Sequence, residues 1–399
     1  MKILLHLCWG MNENFIGGTE RFVVNLAKGI NQKGDEAFIV CSNLEDKINI
    51  EGINVFGIVP KEFKNKIKRY GYANENFFKE EVIGGRFDDS SISNISMYVS
   101  QQITNFDFDV IHLNSFLYSL MLPEDFPFAK TIVTNHENPK ELDNYWGLGS
   151  FSVLSNTAKT SLSFKKMGER IVPSKYYAKV FSESFGVPVS SIPLGIDTSF
   201  SPNHIKNEEL RKKYASPEDI VVLLPSRFDI KQKGHDIAIK ALSILKKKGI
   251  QIKGVFSGYD KGAYTNNLAE FNQLLKEEAL EEDITLTKFD KMLDAYCISD
   301  VVISPERFCS YGLSISESLA LGLPTVLSPI PTYKEIASGY KHAHFTKDNS
   351  PEDLAKVLLK VINSGMEINH CEALRFKKEN SFEKCIDKYY LSYKKLSYT

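Results

Sequence analysis

What the chain lacks narrows its function first. No apolar run in the 399 residues approaches the roughly 20 that cross a bilayer, so contact with a membrane has to be peripheral. The six cysteines, Cys8, Cys41, Cys297, Cys309, Cys371 and Cys385, show neither metal-ligand nor disulfide spacing. A chain of this length needs no covalent staples, and a reducing cytoplasm is the expected setting. The N-terminal "MKILLHLCWG" has too short an apolar core for a secretory leader and no small-residue cleavage site, so it reads as a buried first strand. A surplus of charge is missing as well. Lys and Arg number 49 against 50 Asp and Glu, a formal net charge of -1, which gives no global electrostatic case for a nucleic-acid partner. With 43% hydrophobic and 25% charged residues, the composition excludes disorder and fibrous architectures.

The length exceeds that at which one hydrophobic core stops growing, so two domains are expected. Short apolar runs alternate with helical-period segments, the pattern of βαβ units around a parallel sheet. In the first half "KILLHLC", "EAFIVCS", "INVFGIV", "DVIHLN", "KTIVTNH", "FSVLS" and "RIVPS" read as strands. Between the first two, "TERFVVNLAKGINQKG" puts Phe22, Val23, Leu26, Ala27 and Ile30 on one helical face, and Gly34 stops the helix. A polar, proline-punctuated stretch, "IPLGIDTSFSPNHIKNEELRKKYASPED", marks the boundary. The strand pattern then restarts with "IVVLLPS", "IKGVFSG", "DITLTKF", "DVVISP", "PTVLSP" and "HAHFT". The last segment, "SFEKCIDKYYLSYKKLS", reads as an amphipathic helix with Phe382, Ile386, Tyr389, Tyr390 and Tyr393 as its apolar stripe. Having no strand partner, it is expected to pack back across the first half.

Ligands of open α/β sheets bind beyond the carboxyl ends of the strands, and four places there carry candidate residues. Gly17 and Gly18 precede a helix, where bare amides and the helix dipole suit an anion or close ligand approach, or simply make a turn. His136 ends the strand "TIVTNH", as a ligand contact or as a satisfied structural histidine. Arg227 and Lys233 flank a short loop between a strand and a helix, where two cations would meet a diphosphate well. Tyr311, Gly312, Leu313 and Ser314 open a helix whose first amides lack intrahelical partners, and Glu317 lies one turn in. Glu317 either complements the helix dipole or accepts two hydroxyls of a sugar ring. Elsewhere Lys61, Lys64, Lys66, Lys68 and Arg69 stand among aromatics, either as a solvated loop or as a contact to anionic lipid.

In this order "GGTERFVVNLA", "FDVIHLNS", the strand end at His136, "IVPSKYYAKVF", "IPLGIDTSFSP", "SRFDIKQKGHDIAIKAL" and "DAYCISDVVISPERFCSYGLSISESLALGLPTV" resemble the retaining glycosyltransferases of family 4 over nearly the whole chain. The resemblance implies an α/β fold of the GT-B type, two Rossmann-like domains with parallel sheets facing across a cleft. Residues 1–195 would form the acceptor side and 196–379 the nucleotide-sugar side, with a helix over 380–399 crossing back to complete the first. It implies that Arg227 and Lys233 hold the diphosphate of a nucleotide-sugar donor. Glu317 would bind the ribose, and Tyr311 to Ser314 would lay amides against diphosphate and sugar. Gly17, Gly18 and His136 would face the transferred sugar, and His136, Arg227 and Lys233 would carry the catalysis. Neither cofactor nor metal is implied, and no Asp-X-Asp motif follows a strand. The acceptor would be a glycan or lipid-linked glycan on the inner face of the membrane, with the basic stretch touching anionic lipid.

In two respects the chain departs from the resemblance. Leu194-Gly195-Ile196-Asp197 stands where the family often has Asn-Gly-Val-Asp, which removes a side-chain amide at the interdomain linker. The family's first motif glutamate falls on Cys309, with Ser310-Tyr311 in place of the usual Gly-Phe, and a thiol is a weak acceptor beside a carboxylate. Either the donor sugar differs from the common hexoses or Glu306 reaches into that space. Two other classes share the pattern: a binding module that keeps the pocket without transfer, and a sugar-nucleotide epimerase or phosphorylase.

Overall fold

A computed structural model describes residues 1–7, 18–41, 47–58, 100–114, 122–123, 125–136, 162–197, 199–203, 206–258 and 265–398. Gly17, Cys8, the basic residues of 61–69 and the expected strand "FSVLS" lie outside them. The chain divides into two compact units, one of residues 1–194 with 383–399, the other of residues 195–382.

The first unit is built on strands β1 (Lys2–Leu7), β2 (Glu36–Cys41), β3 (Ile48–Ile50), β4 (Ile53–Gly57), β5 (Val110–Leu113), β6 (Thr131–Thr134), β7 (Glu169–Val172) and β8 (Ser190–Ser191). They lie in the order β3-β4-β2-β1-β5-β6-β7-β8, parallel throughout except for the antiparallel pair β3 and β4. In β1 the side chains of Ile3, Leu4, Leu5 and Leu7 are all buried. Such a continuous apolar run, without alternation, marks a central strand covered on both faces. Helix α1 (Gly18–Gln32) buries the expected Phe22, Val23, Leu26, Ala27 and Ile30, and Gly34, at φ +87°, turns the chain into β2.

The C-terminal helix Phe382–Ser397 completes this unit from residue 383 on. Its buried stripe is Cys385, Ile386, Tyr389, Tyr393 and Leu396. Tyr390, expected in the stripe, instead turns its hydroxyl outward to donate to Asp35 at 2.6 Å, and Phe382 groups with the second unit. Gly29 of α1 is what lets the helix approach, because a Cβ there would stand 2.2 Å from Ile386 Cδ1. His112 of β5 is hydrogen-bonded on both ring nitrogens, to Tyr393 Oη at 2.7 Å and to Thr134 Oγ1 at 2.7 Å, so the buried imidazole joins the helix to two strands of the sheet.

The second unit has strands β9 (Ile220–Pro225), β10 (Ile252–Ser257), β11 (Ile284–Thr287), β12 (Val301–Ser304), β13 (Thr325–Leu327) and β14 (Ala343–Phe345). All pairs are parallel, in the order β11-β10-β9-β12-β13-β14. Counted from its own first strand this is 3-2-1-4-5-6, the doubly wound order whose reversal opens a crevice between the first and fourth strands. The first unit contains the same arrangement in β4-β2-β1-β5-β6-β7, reversing between β1 and β5, with β3 and β8 added at its edges. Behind β9, the short helix α2 (Ile230–Lys233) passes into α3 (His235–Lys247) through Gly234. At φ +72° a Cβ on Gly234 would lie 2.1 Å from the Pro305 carbonyl oxygen that follows β12, so the turn sits directly on backbone.

Two predictions come from these contacts. Gly234→Ala should destabilise the second unit by about 2–5 kcal/mol, the sum of a left-handed Cβ penalty and overpacking against backbone, read as a fall in the denaturant midpoint. Burial also lowers the pKa of His6 and His112 from 6.5 to about 3. The unfolded chain therefore binds protons below pH 6.5 that the folded chain refuses. Stability is full above that pH and should fall as the pH drops toward 3, on the order of 1 kcal/mol per pH unit for each histidine. Urea titrations from pH 7 to 4 measure the slope, and His112→Gln should flatten it.

Candidate functional site

The loops at the β9/β12 reversal carry most of the candidate residues. After β9 the chain runs through Ser226, Arg227, Phe228 and Asp229 into α2. Asp229 caps that helix, its Oδ1 accepting from the Gln232 amide at 2.9 Å. The Arg227 guanidinium is held by two neighbours on the same loop. It donates to Gln232 Oε1 and stands 3.5 Å from Asp229 Oδ2. Lys233 ends α2, and its Nζ lies 2.9 Å from Glu306 Oε2. Both cations required for a polyanion are thus present, each matched by a carboxylate.

The loop after β12 is pinned to α2 and α3. Arg307 donates its amide to the Gln232 carbonyl at 3.0 Å. Its guanidinium grips both oxygens of Asp236 at 2.9 and 2.7 Å, the bidentate geometry that fixes direction as well as distance. Beyond it Cys309 and Tyr311 are buried. Burial, with the Glu306 charge second, pushes the Cys309 thiol up to about 12, so at neutral pH it is an uncharged S–H. Gly312, at φ +105°, caps α4 (Leu313–Leu321). A Cβ at Gly312 would meet the Tyr333 ring at 2.7 Å, so only glycine lets the chain enter the helix there. The first helical hydrogen bond runs from the Ser316 amide to the Gly312 carbonyl at 3.0 Å. The amides of Leu313 and Ser314 precede it, at the positive end of the helix dipole.

Glu317 lies buried in the next turn. The Tyr296 hydroxyl stands 3.0 Å from Glu317 Oε2 and 2.8 Å from the Ser314 carbonyl, one proton between two acceptors, which fixes the carboxylate against its own helix. Tyr296 comes 21 residues before Glu317. No local spacing joins them, and sequence reasoning missed this partner along with Gln232 and Asp229.

In the first unit the reversal lies between β1 and β5. Gly18 begins α1, which follows β1, and Asn114 follows β5. His136 follows β6, and its Nε2 meets Asn114 Oδ1 at 3.1 Å. Asn114 Nδ2 donates to the His6 carbonyl at 3.1 Å, so the amide oxygen is the acceptor toward His136 and Nε2 carries the proton. The ring sits 5.1 Å from that of Phe22, and burial lowers its pKa to about 4. His136 is therefore a neutral, oriented imidazole at pH 7. Arg227, Lys233, Cys309, Tyr311, Gly312, Leu313, Ser314 and Glu317 all belong to the second unit, on the segments that follow β9 and β12, whereas Gly18 and His136 belong to the first.

Two family models match the chain, Glycosyltransferase Family 4 over residues 16–200 and Glycosyl transferases group 1 over residues 206–380. A Klebsiella pneumoniae protein described as an uncharacterized 41.2 kDa protein in the cps region is 24% identical over 264 residues, 62% of this chain and 68% of that protein. The GDP-mannose-dependent alpha-(1-6)-phosphatidylinositol dimannoside mannosyltransferase of Mycobacterium tuberculosis is 28% identical over 176 residues, 43% of each chain; the match thus spans less than half of that enzyme. Among solved structures, the sucrose-phosphate synthase of Thermosynechococcus elongatus superposes with a TM-score of 0.79 at 15% identity, over 99% of this chain and 98% of that one. Anabaena Alr3699/HepE, crystallised with UDP and glucose, gives 0.69 at 16% identity over 98% of both. At such identities the likeness speaks for the fold alone. With the two models covering the two halves in tandem and each half built on a largely parallel sheet whose strand order reverses beside its first strand, the chain belongs to the group 1 glycosyltransferases of the GT-B type.

Proposed function

We propose that the protein transfers a sugar from a nucleotide-sugar donor to an acceptor hydroxyl, with retained anomeric configuration and without a metal ion. The observation that carries this is that Arg227 and Lys233 follow β9 and the N-terminus of α4 follows β12, the two strands between which the order of the second sheet reverses. Charge develops on the diphosphate as the glycosidic bond breaks. Two cations and a helix N-terminus are suited to receive it, and losing one such donor often costs about 10²–10³ in rate. Glu317, with one oxygen fixed by Tyr296, is assigned to the ribose hydroxyls. His136 is assigned a hydrogen bond to the transferred sugar and not a charge, since its imidazole titrates near 4. The departing diphosphate itself is assigned as the acceptor of the incoming hydroxyl's proton, in a front-face displacement.

The acceptor is assigned to cell-surface glycan synthesis, as a glycan or lipid-linked oligosaccharide met in the cytoplasm at the membrane's inner face. Two relatives favour this, one from a cps region and one named as a phosphatidylinositol dimannoside mannosyltransferase. Among the described residues no helix is long and apolar enough to cross a membrane.

Nucleoside diphosphate release from a panel of UDP- and GDP-sugars, with acceptor supplied, tests the assignment. Arg227→Ala should lower kcat/KM by about 10²–10³. Glu317→Ala should raise the donor KM roughly 10–100-fold, the worth of one charge-assisted hydrogen bond. Chelator should leave the rate unchanged. Turnover near wild type in both variants would refute the site, and diphosphate binding with no turnover on any donor would make the protein a binding module.

A further inference from the structure

Lys233 and Glu306 form a close ion pair that a diphosphate-binding lysine does not need for stability. The Lys233 side chain is 14% exposed and that of Glu306 2%. Burying both charges costs about what their attraction returns, so such pairs are weak evidence of stabilisation. Their geometry is nevertheless held from several directions. The Glu306 carbonyl accepts from Ser328 Oγ at 2.6 Å and from Asn349 Nδ2 at 3.3 Å. The preceding Pro305 carbonyl is the group that leaves no room for a Cβ on Gly234, and the following Arg307 is clamped to Asp236. The backbone on either side of each partner is therefore fixed.

Two more side chains lie beside the carboxylate. After burial, the Glu306 charge is the next cause that raises the pKa of the Cys309 thiol and of the Tyr333 hydroxyl. Tyr333 Oη is also 2.8 Å from Ser304 Oγ. Lys233, at 2.9 Å from Glu306 Oε2, is the cation facing this buried acid.

Resting on the assignment of Lys233 to the diphosphate, we propose that Glu306 is a positioning residue of the donor site: its buried carboxylate, on backbone fixed by the contact between Gly234 and Pro305, holds the Lys233 ammonium aimed for a diphosphate. A lysine has a long, flexible stem with three rotatable donors. Without the acid the stem is free to swing the ammonium toward solvent and away from the phosphates.

The test compares UDP with UMP, and GDP with GMP, by calorimetry on the whole chain. A merely structural acid would change stability and leave the preference for diphosphate over monophosphate untouched. Glu306→Gln should weaken diphosphate binding about tenfold or more while monophosphate binding stays within about twofold. Glu306→Asp should fall between, and supplies the measurement should the amide variant fold poorly. The double variant Glu306→Gln/Lys233→Gln should bind diphosphate no more weakly than Lys233→Gln alone, because the acid acts through the lysine. A loss in Lys233→Gln with none in Glu306→Gln, or tighter diphosphate binding in Glu306→Gln, overturns the proposal and leaves the lysine assignment standing. An unchanged diphosphate preference in Lys233→Gln overturns that assignment, and the proposal with it.

Discussion

The second unit is organised by a contact that no side chain can enter, the approach of Gly234 to the Pro305 carbonyl. It joins the loop behind β9 to the loop behind β12, the two strands between which the sheet order reverses. Lys233 precedes the glycine and Glu306 follows the proline, so the ion pair between them results from backbone packing. Arg307, one residue after Glu306, and Asp236, two after Gly234, repeat the connection. A left-handed turn at position 234 thereby sets the geometry of Lys233 and Glu306, which are 73 residues apart in sequence.

Both sheets apply the same rule in different chemistry. In the second unit the reversal gathers cations, carboxylates and helix amides, a setting for polyanion binding. In the first it gathers neutral groups: His136 on Asn114, and His6 and His112 held uncharged by burial. A cationic imidazole there would cost desolvation. One architecture thus yields a charged site in one unit and an uncharged, hydrogen-bonding one in the other.

Continuous apolar runs made the central strands legible in sequence. "KILLHL", "IVVLLP" and "DVVIS" have few alternatives as covered parallel strands, and glycines at positions 34, 234 and 312 mark real helix ends. The short strands β3 and β8, of three and two residues, offered no run long enough to notice. In the C-terminal helix the 3.6-residue period was right, yet it could not tell Tyr390, whose hydroxyl finds Asp35, from Tyr393, whose hydroxyl finds His112. The same limit applies in the site. Arg227, Lys233 and Glu317 stand in recognisable local patterns, whereas the Tyr296 contact to Glu317 and the pairing of Lys233 with Glu306 arise only when distant strands are laid side by side.

The first unit is not contiguous in the chain. Residues 383–397 supply the Tyr389 and Tyr393 hydroxyls and the Ile386 side chain that close its core over β5, β6 and α1, and they leave the ribosome after all of residues 195–382. Nascent domains ordinarily fold in the order of their synthesis. Here the earlier-made half waits, with Gly29 and His112 uncovered, while the later-made half already has every segment it needs. Synthesis order and completion order are inverted, and the groove along α1 and β5 is closed only by the helix that is made last.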